Sequence, residues 1–535
     1  MQELPQDRLE LAARTAVEEL RKMQSPSRRD VQVIKQRAAS ESGSPSIPRN
    51  SELLKYLAPG EEDLRTLLTI KAARNISGVA VIAAMSRPAP CPPQAKCIYC
   101  PGGVAFGSPK SYTGKEPAAL RGAQNDYDSF REVRNRLRQL EEIGHSTGKA
   151  ELIIMGGTFL SFDPSYQEGF VKGLYEGLNG ERSPSLEEAI RANETAGRRC
   201  VGLTLETRPD CLGGRELELL LRYGATRVEI GVQSLDDGVL AFVNRGHGVE
   251  ETARAFMEAK DAGLKVVAHM MPGLPGSSVE KDLKSFRMLF EDERFKPDML
   301  KIYPTLVIGS APLHRLYEQG KYVPYTLDQT VELVAKAKEM TPPWIRIMRV
   351  QRDIPAYMIE AGVKVSNLRE LARRRLEEQG KKCSCIRCRE VGVRSLPPST
   401  QDAFGLQVSR YEASGGEEVF LSYVDENDSI AGFARMRIPG PGAHGLQIVP
   451  GSAVIRELRV YGRLVDVGQR RSDGWQHRGF GAKLMAEAER LAVEEFDKRE
   501  MVVTSAVGTR GYYAKLGYSR KGPYMAKPIA PALPS

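Results

Sequence analysis

The chain has 535 residues, 41% of them hydrophobic and 27% charged, which are ordinary globular values and exclude a fibre or a wholly disordered chain. At roughly 150 residues per domain the length predicts three to four domains, unless a barrel takes more as one unit. Lys and Arg exceed Asp and Glu by 77 − 68 = 9 with a pI near 9.0, which points to an anionic partner. No apolar run reaches the roughly 18 residues of a membrane span. The N-terminal MQELPQDRLELAARTAVEEL carries acids and lacks the apolar stretch of a secretory signal. Of eight cysteines, six lie in two clusters of three, which argues for metal in a reducing, cytoplasmic setting rather than a disulfide framework.

Residues 1–75 read as a basic helical segment. An amphipathic helix carries Leu9, Leu11, Ala12, Val17 and Leu20, and a charged stretch with Arg28, Arg29, Lys35 and Arg37 follows. Ala39 to Arg49 is rich in Ser and Pro and reads as a linker. Over residues 76–340, six short apolar runs alternate with helix-length spacers: GVAVIAAM, ELIIMGG, VGLTLETRPD, RVEIGVQS, KVVAHMMPGLPG and MLKIYPTLVIG. This alternation predicts parallel β/α units, an α/β fold built as an open or closed barrel. Each run ends in polar or glycine-rich residues, where such a barrel places its site. Residues 341–400 read as a basic linker; between Trp344 and Arg394, 13 Lys/Arg stand against 6 Asp/Glu, a pattern that suits a phosphate backbone. Over 401–535, EEVFLSYV, SIAGFARMRI and AVIRELRVYG read as antiparallel strands, with a helix from Phe480 to Phe496 and a strand at MVVTSAV.

Cys91, Cys97 and Cys100 share one loop after the first strand. Three cysteines hold three irons of a [4Fe-4S] cluster and leave the fourth open; a zinc site completed elsewhere is the other reading. The loop resembles the radical S-adenosylmethionine signature, with Tyr99 before the last cysteine and five residues in a first gap that usually has three. The resemblance implies that S-adenosylmethionine binds the open iron. It also implies that Gly156, Gly157 and Thr158 meet the methionine end, and that Glu206 and Gln233 contact the same cofactor.

Gln476, Gly479 and Gly481 form a Q-x-x-G-x-G turn opening a helix, a place where free N–H groups bind pyrophosphate. With the preceding ELRV strand and the later GTRGYYAKLGY, the turn resembles the acetyl-CoA motif of the GNAT superfamily. That likeness implies backbone contacts to pantetheine from Glu457, Leu458, Arg459 and Val460, and to pyrophosphate from Phe480, Gly481 and Ala482. It also implies a tyrosine, Tyr512 or Tyr513, beside the thioester. The loop from Gly462 to Gln476 is long enough to gate the CoA site.

Cys383, Cys385 and Cys388 suit a structural zinc, which takes four ligands. His314 is the first expectation for the fourth, then Cys200 or Cys211.

A radical S-adenosylmethionine barrel, here a partial (β/α)6 barrel, followed by a GNAT domain resembles the family of the Elongator catalytic subunit, the tRNA wobble-uridine modifying enzymes. CIYCPGG, SYTGKEPAALR, MGGTF, LETRPD, KIYPTLVIG and GTRGYYAKLGY carry the likeness from about Ser51 to Lys527. It implies that an adenosyl radical removes a hydrogen from the acetyl methyl of acetyl-CoA, that the resulting carbon radical adds to carbon 5 of uridine, that oxidation restores the aromatic ring, and that hydrolysis of the thioester releases CoA and leaves 5-carboxymethyluridine. It also implies contact of Lys149 and Tyr513 with CoA, and binding of the tRNA anticodon stem-loop, in part by the N-terminal segment. CSCIRC is similar to archaeal and bacterial members, so other Elongator subunits are not expected to be required; a homodimer is compatible with the sequence. The competing expectation is a protein-lysine acetyltransferase that uses the GNAT domain alone.

Overall fold

Seven parallel strands, rich in Val, Ile and Leu, carry the first large unit. They are β1 (Val79–Met85), β2 (Lys149–Met155), β3 (Arg199–Thr207), β4 (Arg227–Gln233), β5 (Lys265–Met270), β6 (Met299–Ile302) and, after a two-residue β7 (Val307–Ile308), β8 (Arg346–Val350). In this computed structural model, residues 5–69, 78–394, 403–441, 451–461 and 479–529 are described. The sheet order β1-β2-β3-β4-β5-β6-β8 leaves β1 and β8 as its two edges, so the barrel is partial. The six expected runs supply β1–β6 in order, and β8 extends the far edge from within the stretch read as a linker. Its sequence RIMRV buries only Ile347, so it presents no apolar run to recognise.

Helices cover the outer face, as parallel sheets require. Helix Pro164–Asn179 starts on the Asp163 cap with Pro at its first position, and Leu327–Glu339 starts on a Thr326–Gln329 capping box. The small strand β9 (Ile359–Ala361) pairs with β7. Among the described residues no helix is long and apolar enough to cross a membrane.

Helices Pro5–Lys22 and Arg28–Glu41 pack through Ala13, Val17 and Leu20 against Val31, Ile34 and Ala38. The charged stretch of the sequence is thus a second amphipathic helix. Arg28 and Arg29 face solvent, whereas Lys35 is buried and donates to Asn50 Oδ1 at 2.9 Å.

The second large unit is a mixed sheet of β10 (Gly405–Ala413), β11 (Gly416–Val424), β12 (Ile430–Ile438), β13 (Ser452–Val460), β14 (Glu500–Val503), β15 (Ser519–Lys521) and β16 (Tyr524–Pro528). Its order is β10-β11-β12-β13-β14-β16-β15, with helix Phe480–Glu494 packed on β11, β12 and β13.

This unit closes the N-terminal end of the barrel. Arg456, fully buried, donates to Asp298 Oδ1 and Oδ2 at 2.6 and 2.7 Å, to Leu264 O at 2.9 Å and to Glu418 Oε2 at 2.7 Å. Asp298 and Leu264 immediately precede β6 and β5. Lys265, the first residue of β5, donates to Arg456 O, and Arg435 bridges Asp298 O and Glu457. A Cβ on Gly508 would stand 2.5 Å from that of Arg199, at the start of β3. Buried charges on this scale persist only when paired, and Arg435 and Arg456 are each paired with a carboxylate.

Candidate active site

The cysteine loop crosses the C-terminal ends of the strands and is held by backbone hydrogen bonds. Lys96 N–H and Ile98 N–H donate to Asn244 O and Val243 O, Leu313 N–H donates to Ile98 O, and Ser310 Oγ donates to Pro101 O. Buried Arg245 reaches Cys97 Sγ at 3.6 Å through Nη1 and Gly231 O at 2.6 Å through Nη2. Its Nε donates to His247 Nε2 at 2.9 Å, which leaves the His247 proton on Nδ1, facing Gly248 O. Burial and the Arg245 guanidinium lower the pKa of His247 to about 4, so the ring stays neutral. Burial works against a Cys97 thiolate, but the Arg245 charge and hydrogen bond outweigh it and hold the thiol below its ordinary value. Arg208 carries the arrangement outward, donating to Asp210 at 2.8 and 2.9 Å and to Arg245 O at 2.8 Å.

Gly156 and Gly157 follow β2 with φ of +135° and +93°, the region that favours glycine. A Cβ on Gly156 would lie 2.0 Å from Ser86 Oγ, and one on Gly157 3.1 Å from Lys110 O. Thr158 is buried beside them. Glu206, at the end of β3, accepts from Tyr112 Oη at 2.8 and 3.0 Å and from Gly156 N–H at 3.4 Å. Gln233 ends β4 with φ +71°, an uncommon conformation for a residue with a side chain. Its Oε1, with Ser86 Oγ, Ser234 Oγ, Thr305 Oγ1 and Tyr99 Oη, is buried without a hydrogen-bond partner. Unpaired buried polar atoms are costly. Five of them around one thiol loop fit a polar cofactor and a cluster held by three thiolates.

The inward faces of β2–β6 continue this polarity toward the foot of the barrel. Glu229 lies between Lys301 and His269, whose Nε2 stands 2.7 Å from Glu229 Oε2, while Arg227 pairs with Glu151 across the barrel. Sequence reasoning passed over these residues, together with Arg245, His247 and Tyr112. The signal was present in the period-2 placement of polar residues within a buried strand, as in Arg227, Glu229 and Gln233.

At the foot, β13 pairs with β14 only from Ser452↔Glu500 to Ile455↔Val503. Beyond Ile455, Glu457, Leu458, Arg459 and Val460 keep their pairing to β12 alone. Gly479, at φ +84°, precedes helix Phe480–Glu494, whose start has no side-chain cap. Phe480 is anchored against Tyr423 at 4.8 Å, and a Cβ on Gly481 would come within 2.6 Å of Tyr512 Oη. Ala482 follows in the same first turn. Tyr512 is therefore at the helix start, whereas Tyr513 is packed into the apolar core, where burial pushes its phenol well above the ordinary value. Lys149 opens β2, paired with Arg199 at the end of the barrel that the second unit covers. Gln476 and the 462–476 loop lie outside the described residues.

Cys383, Cys385 and Cys388 have their thiols within 4.8 Å of one another, the one such group of His, Cys, Asp or Glu among the described residues. A tetrahedral zinc with 2.3 Å bonds to sulfur needs thiolates about 3.8 Å apart, so this donor set fits a single ion. Lys338 Nζ stands 3.8 Å from Cys388 Sγ. None of the three expected fourth ligands is there. His314 follows Leu313, which is bonded to the first cysteine loop, and pairs with Glu318. Cys200 is buried in β3, with its Sγ on Gly202 O, and Cys211 lies near Cys91. Sequence distance was no guide, because the fold places these residues on other elements: a helix, a strand and a turn.

The basic linker is also less free than its composition suggests. Arg346, Arg375, Lys381 and Arg389 pair with Glu390, Asp328 and Glu332, Glu339, and Asp428.

Residues 93–289 match the radical SAM superfamily and 297–378 the radical SAM C-terminal domain. The chain is 48% identical over 492 residues to a tRNA uridine(34) acetyltransferase of Methanocaldococcus jannaschii, covering 90% of each. It is 42% identical over 508 residues to human Elongator complex protein 3, covering 93% of each. Among solved structures, an N-terminally truncated Elp3 of Methanocaldococcus infernus superposes with a TM-score of 0.75 at 43% identity, over 85% of this chain and 100% of that one.

Proposed function

The chain belongs to the radical SAM superfamily and, within it, to the family of the tRNA uridine(34) acetyltransferases and Elongator complex protein 3, and from that premise we propose that it joins the acetyl methyl carbon of acetyl-CoA to carbon 5 of the tRNA wobble uridine, leaving 5-carboxymethyluridine. The observation that carries this reading is the presence of two differently built sites on one barrel: a three-thiol loop ringed by unpaired polar atoms at its head, and a splayed strand beside a glycine-opened helix at its foot.

When bound, the [4Fe-4S] cluster and S-adenosylmethionine supply an adenosyl radical strong enough to take a hydrogen atom from a methyl group. Cys91, Cys97 and Cys100 hold the cluster, with Arg245 fixing Cys97. Gly156, Gly157 and Thr158 let the backbone approach the methionine end, and Glu206 and Gln233 orient the same cofactor. The second unit reads as a GNAT domain: Glu457 to Val460 offer an unpaired strand edge to the pantetheine amides. The first-turn N–H groups of Phe480, Gly481 and Ala482, with Gln476 and Gly479, receive the pyrophosphate. Tyr512 flanks the thioester, with Tyr513 packed behind it in the apolar core, and Lys149 neutralises a CoA phosphate. Cys383, Cys385 and Cys388 hold a structural zinc. The two ends of a seven-residue strand are about 20 Å apart. The thioester arm therefore enters the barrel from its foot, past Arg227 and Glu151.

Anaerobic incubation with both cofactors and unmodified tRNA, followed by mass spectrometry of the nucleosides, tests this. Acetyl-CoA deuterated on the methyl must place label in 5′-deoxyadenosine. Uridine modification without that label overturns the hydrogen-abstraction step, and protein acetylation indifferent to Cys97→Ser favours the lysine acetyltransferase.

A further inference from the structure

The loop after Cys100 holds apolar side chains out into water with no gain to the fold. Val104 and Phe106 are 57% and 60% exposed, and Tyr357 is 78% exposed; the last two are the most exposed aromatic side chains among the described residues. The Phe106 loop is rigid. Gly103 bridges Ser108, Phe106 N–H donates to Gly103 O at 2.9 Å, Gly107 turns at φ +60°, and Tyr127 Oη donates to Gly107 O at 3.0 Å.

Both aromatics stand at the rim of the first site. Phe106 lies six residues after Cys100, and the next turn places Tyr112 on Glu206. Tyr357 lies in the turn between Arg352 and β9. Arg352 donates to Ser111 O and stacks on the Tyr112 ring at 5.7 Å, tying the two segments together. The charge around them is positive: from Arg87 to Arg121 the chain has five Lys/Arg and one acid, Glu116, which turns inward onto Thr113.

We propose that this rim is a stacking platform for the unpaired bases of an RNA loop, with Phe106 and Tyr357 as its aromatic faces and Lys110, Lys115 and Arg352 toward the phosphates. It rests on tRNA being the substrate. Exposed aromatics amid cations suit single-stranded RNA, because every base has a face to stack and a backbone to neutralise. A duplex offers the phosphates but hides the faces.

The test compares an RNA hairpin with the sequence of a tRNA anticodon stem-loop and the blunt duplex of its stem, on the full chain. Phe106→Ala and Tyr357→Ala should each weaken hairpin binding about 5- to 150-fold, the cost of one lost stacked base. Duplex affinity and the salt dependence should stay unchanged, since no phosphate contact is removed. Phe106→Trp should restore hairpin binding. Alanine variants that bind the hairpin like the wild type, or lose hairpin and duplex alike, overturn the platform; the first result leaves the apolar rim to a protein partner. If the wild type binds neither RNA, the substrate reading itself fails.

Discussion

Two loops of this chain carry three cysteines each, and the fold handles them in opposite ways. Cys383, Cys385 and Cys388 are drawn within 4.8 Å of one another. Cys91, Cys97 and Cys100 are not gathered so closely, although their charges still interact. The compact set has a short turn, Cys388 N–H onto Cys385 O at 2.9 Å, and a lysine at its edge. The open set has a loop pinned at both ends and an arginine on one thiol. A single ion needs converging donors; a cubane, with each thiolate on a different iron, needs them apart. Spacing along the chain does not report this difference, and the backbone that holds each loop does.

The strongest way to break the contrast is Cys97→Ser. It should abolish tRNA modification and iron uptake after anaerobic reconstitution while leaving zinc content intact. Cys385→Ser should do the reverse, lowering zinc content and the melting temperature by several degrees, as expected for loss of a buried structural site, with iron content kept. If either variant changes the other loop's metal, the two are not separate sites.

Arg245→Met should sharpen the contrast without touching a cysteine. Loss of a partner that orients a ligand costs about 10- to 100-fold in metal affinity or activity, read as iron retention during dialysis against a chelator. Cys385, whose cationic neighbours are Lys338 and Arg369, lies on the other loop, and the zinc proposed there should be unaffected.

A pH-dependent effect concerns the strand that launches the open loop. Glu132 accepts Met85 N–H at 3.0 Å at the end of β1, and burial raises its pKa to about 8 against the Met85 hydrogen bond and Arg121. A carboxyl with a raised pKa favours the fold while protonated. Its contribution is present below about 4.5 and is lost as pH rises through about 8. Glu132→Gln should therefore gain on the order of 5 kcal/mol over the wild type at pH 9 and almost nothing at pH 4, in denaturant unfolding at both pH values.

The barrel was legible because each of its first six strands is an apolar run ending in polar residues. β8 was not, since an edge strand with one buried residue leaves no such mark. In the candidate site, the cysteines and glycines announced themselves by spacing. Arg245, His247 and Tyr112 did not, because each acts through a partner far along the chain, Arg245 and Cys97 being 148 residues apart. The basic stretch from 344 to 394 misled in the same way: the carboxylates that answer Arg375, Lys381 and Arg389 come from outside it.

The arginine-rich seam at the barrel's foot also governs how the protein can be cut. A fragment ending before β10 would strip Asp298 of Arg456 and Arg435, and one beginning there would leave Arg456 without Asp298 and Arg437 without Asp261. Neither half should be a useful expression product alone. Calorimetry of the intact chain should show both units melting together in one transition.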